Sequence, residues 1–214
     1  MHLFLLDLWQ YRIIAGVTDE KIFLDSTLKT HFQHTVQAAD IRSAEAFISL
    51  VIGSFENSAA DKFELQTEIS YAMVMKLIAN MAGADTTPAA GDQWYDRAVA
   101  WAEENGISKG ITEGAQPGDA CKREDFAIML YNYVKSLGAG FTGAWMFPLN
   151  NPDAADISEG ADEAMHWMVM NRVLRGDENG VLNPQSGATR AETAQILLNF
   201  SEVELSDNTL SRAE

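Results

Sequence analysis

The stretch GATRAETAQILLNF, residues 187–200, reads as a helix whose start is written into its first residues. Thr189 is a good N-cap. Glu192, three residues on, completes a capping box in which each side chain answers the other residue's backbone N–H. Thr193, Ile196, Leu197 and Phe200 then fall at i, i+3, i+4 and i+7, which is one face of a helix. Arg190 fits this scheme poorly, because a cation in the first turn meets the positive end of the helix dipole. Its planar fork is suited to gripping a carboxylate through two parallel bonds. The N–H groups of a helix start also favour an anion. Two readings stand side by side: Arg190 pairs with an Asp or Glu of the chain, or it holds an anionic ligand.

The same pattern occurs upstream. Pro117, Arg123, Met129, Leu130 and Tyr133 stand opposite Pro184, Arg190, Ile196, Leu197 and Phe200, at a constant offset of 67. Before them, WYDRAVAWAEENGISKG (94–110) lies opposite GADEAMHWMVMNRVLRG (160–176) at an offset of 66, which aligns Ala98, Trp101, Ala102 and Gly110 with Ala164, Trp167, Met168 and Gly176. One residue inserted in the loop between accounts for the change. An offset of 52 carries Phe126, Met129, Leu130 and Tyr133 back onto Val74, Leu77, Ile78 and Met81. That first copy is weaker in its front half: Ile48 falls where the tryptophans stand, and Asn57 replaces the turn glycine. Asn is the next most tolerant residue of a left-handed backbone, so the turn survives.

Each unit is a short amphipathic helix, a Gly-marked turn, a loop that often carries Pro, and a longer amphipathic helix. The units run over 40–84, 92–138 and 151–203, between a non-matching N-terminal segment, 1–39, and a tail, 204–214. The linkers AGADTTPAAGD (82–92) and SLGAGFTGAWMFPLNNPD (136–153) hold turn residues. One such unit cannot bury its own apolar stripe, whereas three can pack around a shared core. Strand-like alternation is scarce, so the expected fold is mainly α, built of three tandem helix-loop-helix repeats.

Composition narrows the function. A formal net charge of −16 argues against nucleic acid, whose phosphates need a basic face. Cys121 is the lone cysteine, which excludes an internal disulfide and a Cys-based zinc site. No apolar run has the length of a membrane span. The opening MHLFLLDLWQYRII is apolar but short, lacks a basic start and is broken by Asp7. It reads as a buried or partner-seeking helix, with a truncated signal as the alternative. His31 and His34 have metal-compatible spacing but no third ligand. GDENG at 176–180 fails as an EF-hand, with Val181 and Ala188 where oxygen ligands belong. No nucleophile-elbow, P-loop or dinucleotide signature occurs. No metal, cofactor or enzymatic activity is therefore expected.

The residues that recur also resemble a known family. GVLNPQSGATRAETAQILLNF resembles the second half of an S-layer homology repeat, whose hallmark is a TRAE tetrapeptide opening the long helix. WYDRAVAWAEENGISKG resembles the first half, and FELQTEISYAMVMKLIANMAG (63–83) resembles the second half of a degenerate first copy. The resemblance implies a pseudo-threefold helical module. It further implies non-catalytic anchoring at the bacterial cell surface, by binding a secondary cell wall polymer attached to peptidoglycan, often an anionic, pyruvylated polysaccharide. On this reading Arg123 and Arg190 hold anionic groups, Thr189 caps the site helix, and Gly110 and Gly176 make the turns. Trp94 is either a stacking platform for a sugar face or a core residue. Trp101 and Trp167 belong to the core. The other copies depart from the motif. KRED (122–125) has Lys122 for the capping hydroxyl and Asp125 for Glu; SYAM (70–73) has Tyr71 for the arginine, and packing is its favoured role. The competing reading is a protein-interaction or self-association module, or a piece of a larger surface protein with a fusion partner domain.

Overall fold

The computed structural model describes residues 66–141, 148–203 and 205. The expectations for 1–39, Ile48, Asn57, His31 and His34 lie outside that span. Five α-helices follow in order: α1 Tyr71–Met81, α2 Asp96–Glu104, α3 Arg123–Ser136, α4 Asp162–Met170 and α5 Arg190–Ser201. Two 3-10 turns, Ala154–Asp156 and Glu159–Ala161, lead into α4. Extended pairing among the described residues is limited to isolated bridges, so the fold is mainly α. No helix among them is long and apolar enough to cross a membrane.

The long helices α1, α3 and α5 present the stripes expected of them. Val74, Leu77 and Ile78 are fully buried with Met81, as are Phe126, Met129 and Leu130 with Tyr133. Thr193, Ile196, Leu197 and Phe200 line the same core from α5. Burying each large apolar side chain contributes about 1.5–3 kcal/mol. The short helices pack on the long helix of the unit before them, α2 on α1 and α4 on α3. Trp167 is fully buried and touches the rings of Tyr131 and Phe200, with centroids 5.6 and 6.4 Å away. Trp101 differs: it only lines the core, half-buried, because α2 exposes more of its surface than α4.

What joins the three long helices is a closed set of backbone bonds just before their first turns. The Ile69 N–H donates to Ala188 O (2.8 Å), Ala188 N–H to Cys121 O (3.0 Å) and Cys121 N–H to Ile69 O (2.8 Å). The circuit returns to its origin. A second circuit surrounds it: Tyr71 N–H donates to Asp119 O, Arg123 N–H to Ser186 O and Arg190 N–H to Thr67 O, at 3.1, 2.9 and 2.9 Å. Bridges Glu68–Thr189, Ser70–Ala120 and Lys122–Gly187 mark the same three contacts. Buried backbone amides need partners, and here each segment finds them on its two neighbours.

Candidate binding site

The second circuit corrects the picture of an open helix start. The first amides of α3 are taken by carbonyls of the next unit, Arg123 N–H by Ser186 O and Glu124 N–H by Pro184 O. In α5 Arg190 N–H is taken by Thr67 O, and Glu192 N–H by the Thr189 hydroxyl at 3.2 Å. Of these orphan donors, three are used in assembly and one, Glu192 N–H, in the helix's own cap.

The side chains at the helix starts repeat the same directional pattern. Arg123 is 7% exposed; its Nε donates to Leu182 O at 2.7 Å, and its Nη1 lies 3.1 Å from Glu192 Oε1. Glu192 closes the capping box with its other oxygen, accepting from the Thr189 N–H (2.8 Å) and hydroxyl (3.0 Å). One carboxylate therefore caps its own helix and pairs with the arginine of the preceding unit. At the preceding junction Tyr71 stands for the arginine and Asp125 for Glu192. Tyr71 is buried, and its hydroxyl donates to Asp125 Oδ2 while Thr112 N–H donates to Oδ1. Burial first, and then this bond to the carboxylate, push the Tyr71 phenol well above its ordinary range. Arg190, at 3% exposure, is as enclosed as Tyr71 and more so than Arg123.

Lys122 offers no cap, as its sequence position implies; its Nζ instead donates to Gln185 Oε1 at 3.1 Å. Glu124 was not singled out by its sequence. It is 2% exposed and accepts from the Ser158 N–H and hydroxyl at 3.0 and 2.8 Å, tying the start of α3 to the turn before α4. Its only sequence signal is position: it follows the first-turn arginine, where α5 carries Ala191.

The glycines divide. Gly110 has φ +90, a conformation that favours glycine. Gly176 is required for space instead: a Cβ there would lie 2.4 Å from the Gly180 backbone. The GDENG loop closes on itself, with Asp177 Oδ1 accepting from the Asn179 and Val181 N–H groups at 2.8 and 3.0 Å.

Trp94 belongs to a different set of contacts from the arginines. Its half-buried ring meets Tyr95 edge-on, at 5.2 Å, and the Lys76 ammonium at 5.3 Å. Lys76 lies on α1, so this aromatic and cation face one another where the second unit packs on the first.

The geometry defines a helical assembly whose three long helices are joined at their starts by a ring of backbone bonds, with polar side chains where they meet. Within it, residues 89–127 and 152–194 match the S-layer homology domain. The chain is also 28% identical over 138 residues to an amylopullulanase of Thermoanaerobacterium thermosulfurigenes, covering 61% of this chain and 7% of that protein. It is 26% identical over 137 residues to exoglucanase XynX of Acetivibrio thermocellus, covering 61% of this chain and 12% of that protein. The chain thus spans only a small part of the length of these relatives. The first matched stretch covers α2 and the start of α3, the second α4 and the start of α5.

Proposed function

We propose that the protein is a non-catalytic anchoring module that binds a secondary cell wall polymer, an anionic polysaccharide attached to peptidoglycan, and so holds its bearer at the bacterial surface. The observation that carries this is the pair of S-layer homology matches, each covering one short helix, its turn and the start of a long helix. Such domains anchor proteins to cell walls. The similarity to two glycan-active enzymes, of which the chain covers 7% and 12%, agrees with an anchoring role beside separate catalytic parts. The first unit, 40–84, is proposed as a degenerate third copy, because residues 67–71 take the third place in both backbone circuits.

In this proposal the buried Arg123 and Arg190 act as positioning residues. They brace the walls of the junctions and lend them positive charge in an otherwise acidic chain. Thr189, Gly110 and Gly176 shape the same walls, and Trp94 supplies a surface on which sugar C–H faces stack. The test is a pull-down of the full chain with polymer-bearing peptidoglycan, before and after the polymer is chemically stripped. Retention that disappears on stripping is expected. Equal retention on stripped and unstripped wall would defeat the proposal.

A second reading, self-association, is favoured by exposed Leu137 and Met170, 49% and 47% open to solvent. Sedimentation showing a concentration-dependent dimer, without polymer retention, would favour it.

A further inference from the structure

We infer that Lys76 and Trp94 form a single acid-reading saccharide site, at the junction of α1 with the segment that opens α2. The inference rests on the polymer-binding reading above and adds to it the residue that recognises the anion. Lys76 Nζ lies 5.3 Å from the centre of the Trp94 ring, and both residues are half-buried, so the pair is reachable from solvent. Tyr95, edge-on to the indole, holds its plane.

The chemistry of a lone lysine in this setting is informative. The chain has 31 acidic against 15 Lys and Arg residues, so carboxylates are abundant. Arg97, Arg123 and His166 pair with carboxylates, whereas Lys76 is in no ion pair among the described residues. Its ammonium rests against an indole face instead. A cation–π contact satisfies the charge weakly and leaves N–H donors for an acceptor. An aromatic ring and a cation with donors to spare, within the width of one sugar ring, suit an anionic monosaccharide unit: ring C–H groups on the part of the indole that the ammonium leaves open, acid on the ammonium.

The other junction lacks both elements. In the register of the repeats, Ile128 occupies the place of Lys76 and Gly160 that of Trp94. Ile128 is 6% exposed, and the Cβ direction of Gly160 leads to the Gly110 carbonyl at 4.0 Å. Gln195, the counterpart on α5, carries no charge. Among the described residues the pair therefore occurs once, between the first and second units and not between the second and third.

The test uses the full chain and solubilised wall polysaccharide in three forms: untreated, carboxyl-reduced and dephosphorylated. Lys76→Met keeps the stem and removes the charge. It is expected to weaken binding of untreated polymer about tenfold, the loss that one charge-assisted contact carries. Lys76→Arg is expected to restore binding to within about twofold. Whichever treatment removes the recognised acid should lower wild-type binding to the Lys76→Met level and leave that variant unaffected. Wild-type affinity in Lys76→Met, with an unchanged circular dichroism spectrum, overturns the inference while leaving the anchoring reading intact. Losses from the variant and from acid removal that simply add would overturn it too. Absence of wild-type binding to every preparation overturns the anchoring reading itself, and this inference with it.

Discussion

Arg172 holds φ 58, in the left-handed region that side chains with a Cβ avoid. Its counterpart in the second unit is Gly106, with φ 67. The surroundings are the same in both units. Asn105 and Asn171 each donate from Nδ2 to a tryptophan carbonyl, Trp101 O at 2.8 Å and Trp167 O at 2.9 Å. The next residues, Ile107 and Val173, each donate their N–H to the carbonyl of Ala102 or Met168 at 2.8 Å. Arg172 therefore bears a strain that Gly106 does not. Arg172→Gly is expected to stabilise the fold by about 0.5–1 kcal/mol, read as a raised urea midpoint at unchanged slope. The repeat comparison made this turn legible, yet it pointed to Gly110 and Gly176 as the backbone-critical pair. Only Gly110 has positive φ; Gly176 answers to its distance from Gly180, which no spacing of residues reveals.

The starts of the long helices were legible where a cap is local and illegible where it is shared. Thr189 and Glu192 sit three apart, and their box follows from sequence alone. That Glu192 also meets Arg123, and Asp125 meets Tyr71, depends on which unit follows which around the ring. The substitutions then make sense in pairs: a phenol donor in the first unit faces a short carboxylate in the second. These double duties predict unequal costs. Thr189→Ala removes one cap and is expected to cost about 1 kcal/mol. Glu192→Ala removes the cap and leaves the buried Arg123 guanidinium without its anion, for about 2–3 kcal/mol. Urea titrations of the two variants check the order. Equal costs would mean that the pair across the junction contributes nothing.

The three tyrosines of the shared core make stability depend on alkali. Burial raises the phenols of Tyr71, Tyr131 and Tyr133 above the ordinary tyrosine value of about 10, aided at Tyr71 by Asp125 and at Tyr131 by Glu163. Unfolded tyrosines lose their protons near pH 10 while the folded ones keep them. Their contribution is therefore complete below that pH and falls as pH rises from 10 toward the folded values. Urea midpoints should be insensitive to these groups near neutrality and decline above pH 10. Tyr71→Phe should make that decline shallower. No decline in the wild-type protein would contradict the burial of these rings.

The circuit from Ile69 to Ala188 to Cys121 and back has a consequence for endurance. A linear array of repeats frays from its ends, since a terminal repeat has one neighbour to lose. A ring has no terminal member. Releasing any of the three segments breaks bonds on both its sides, so partial unravelling has no cheap first step. If the protein anchors a load to a wall, as proposed, the attachment would then give way all at once or not at all.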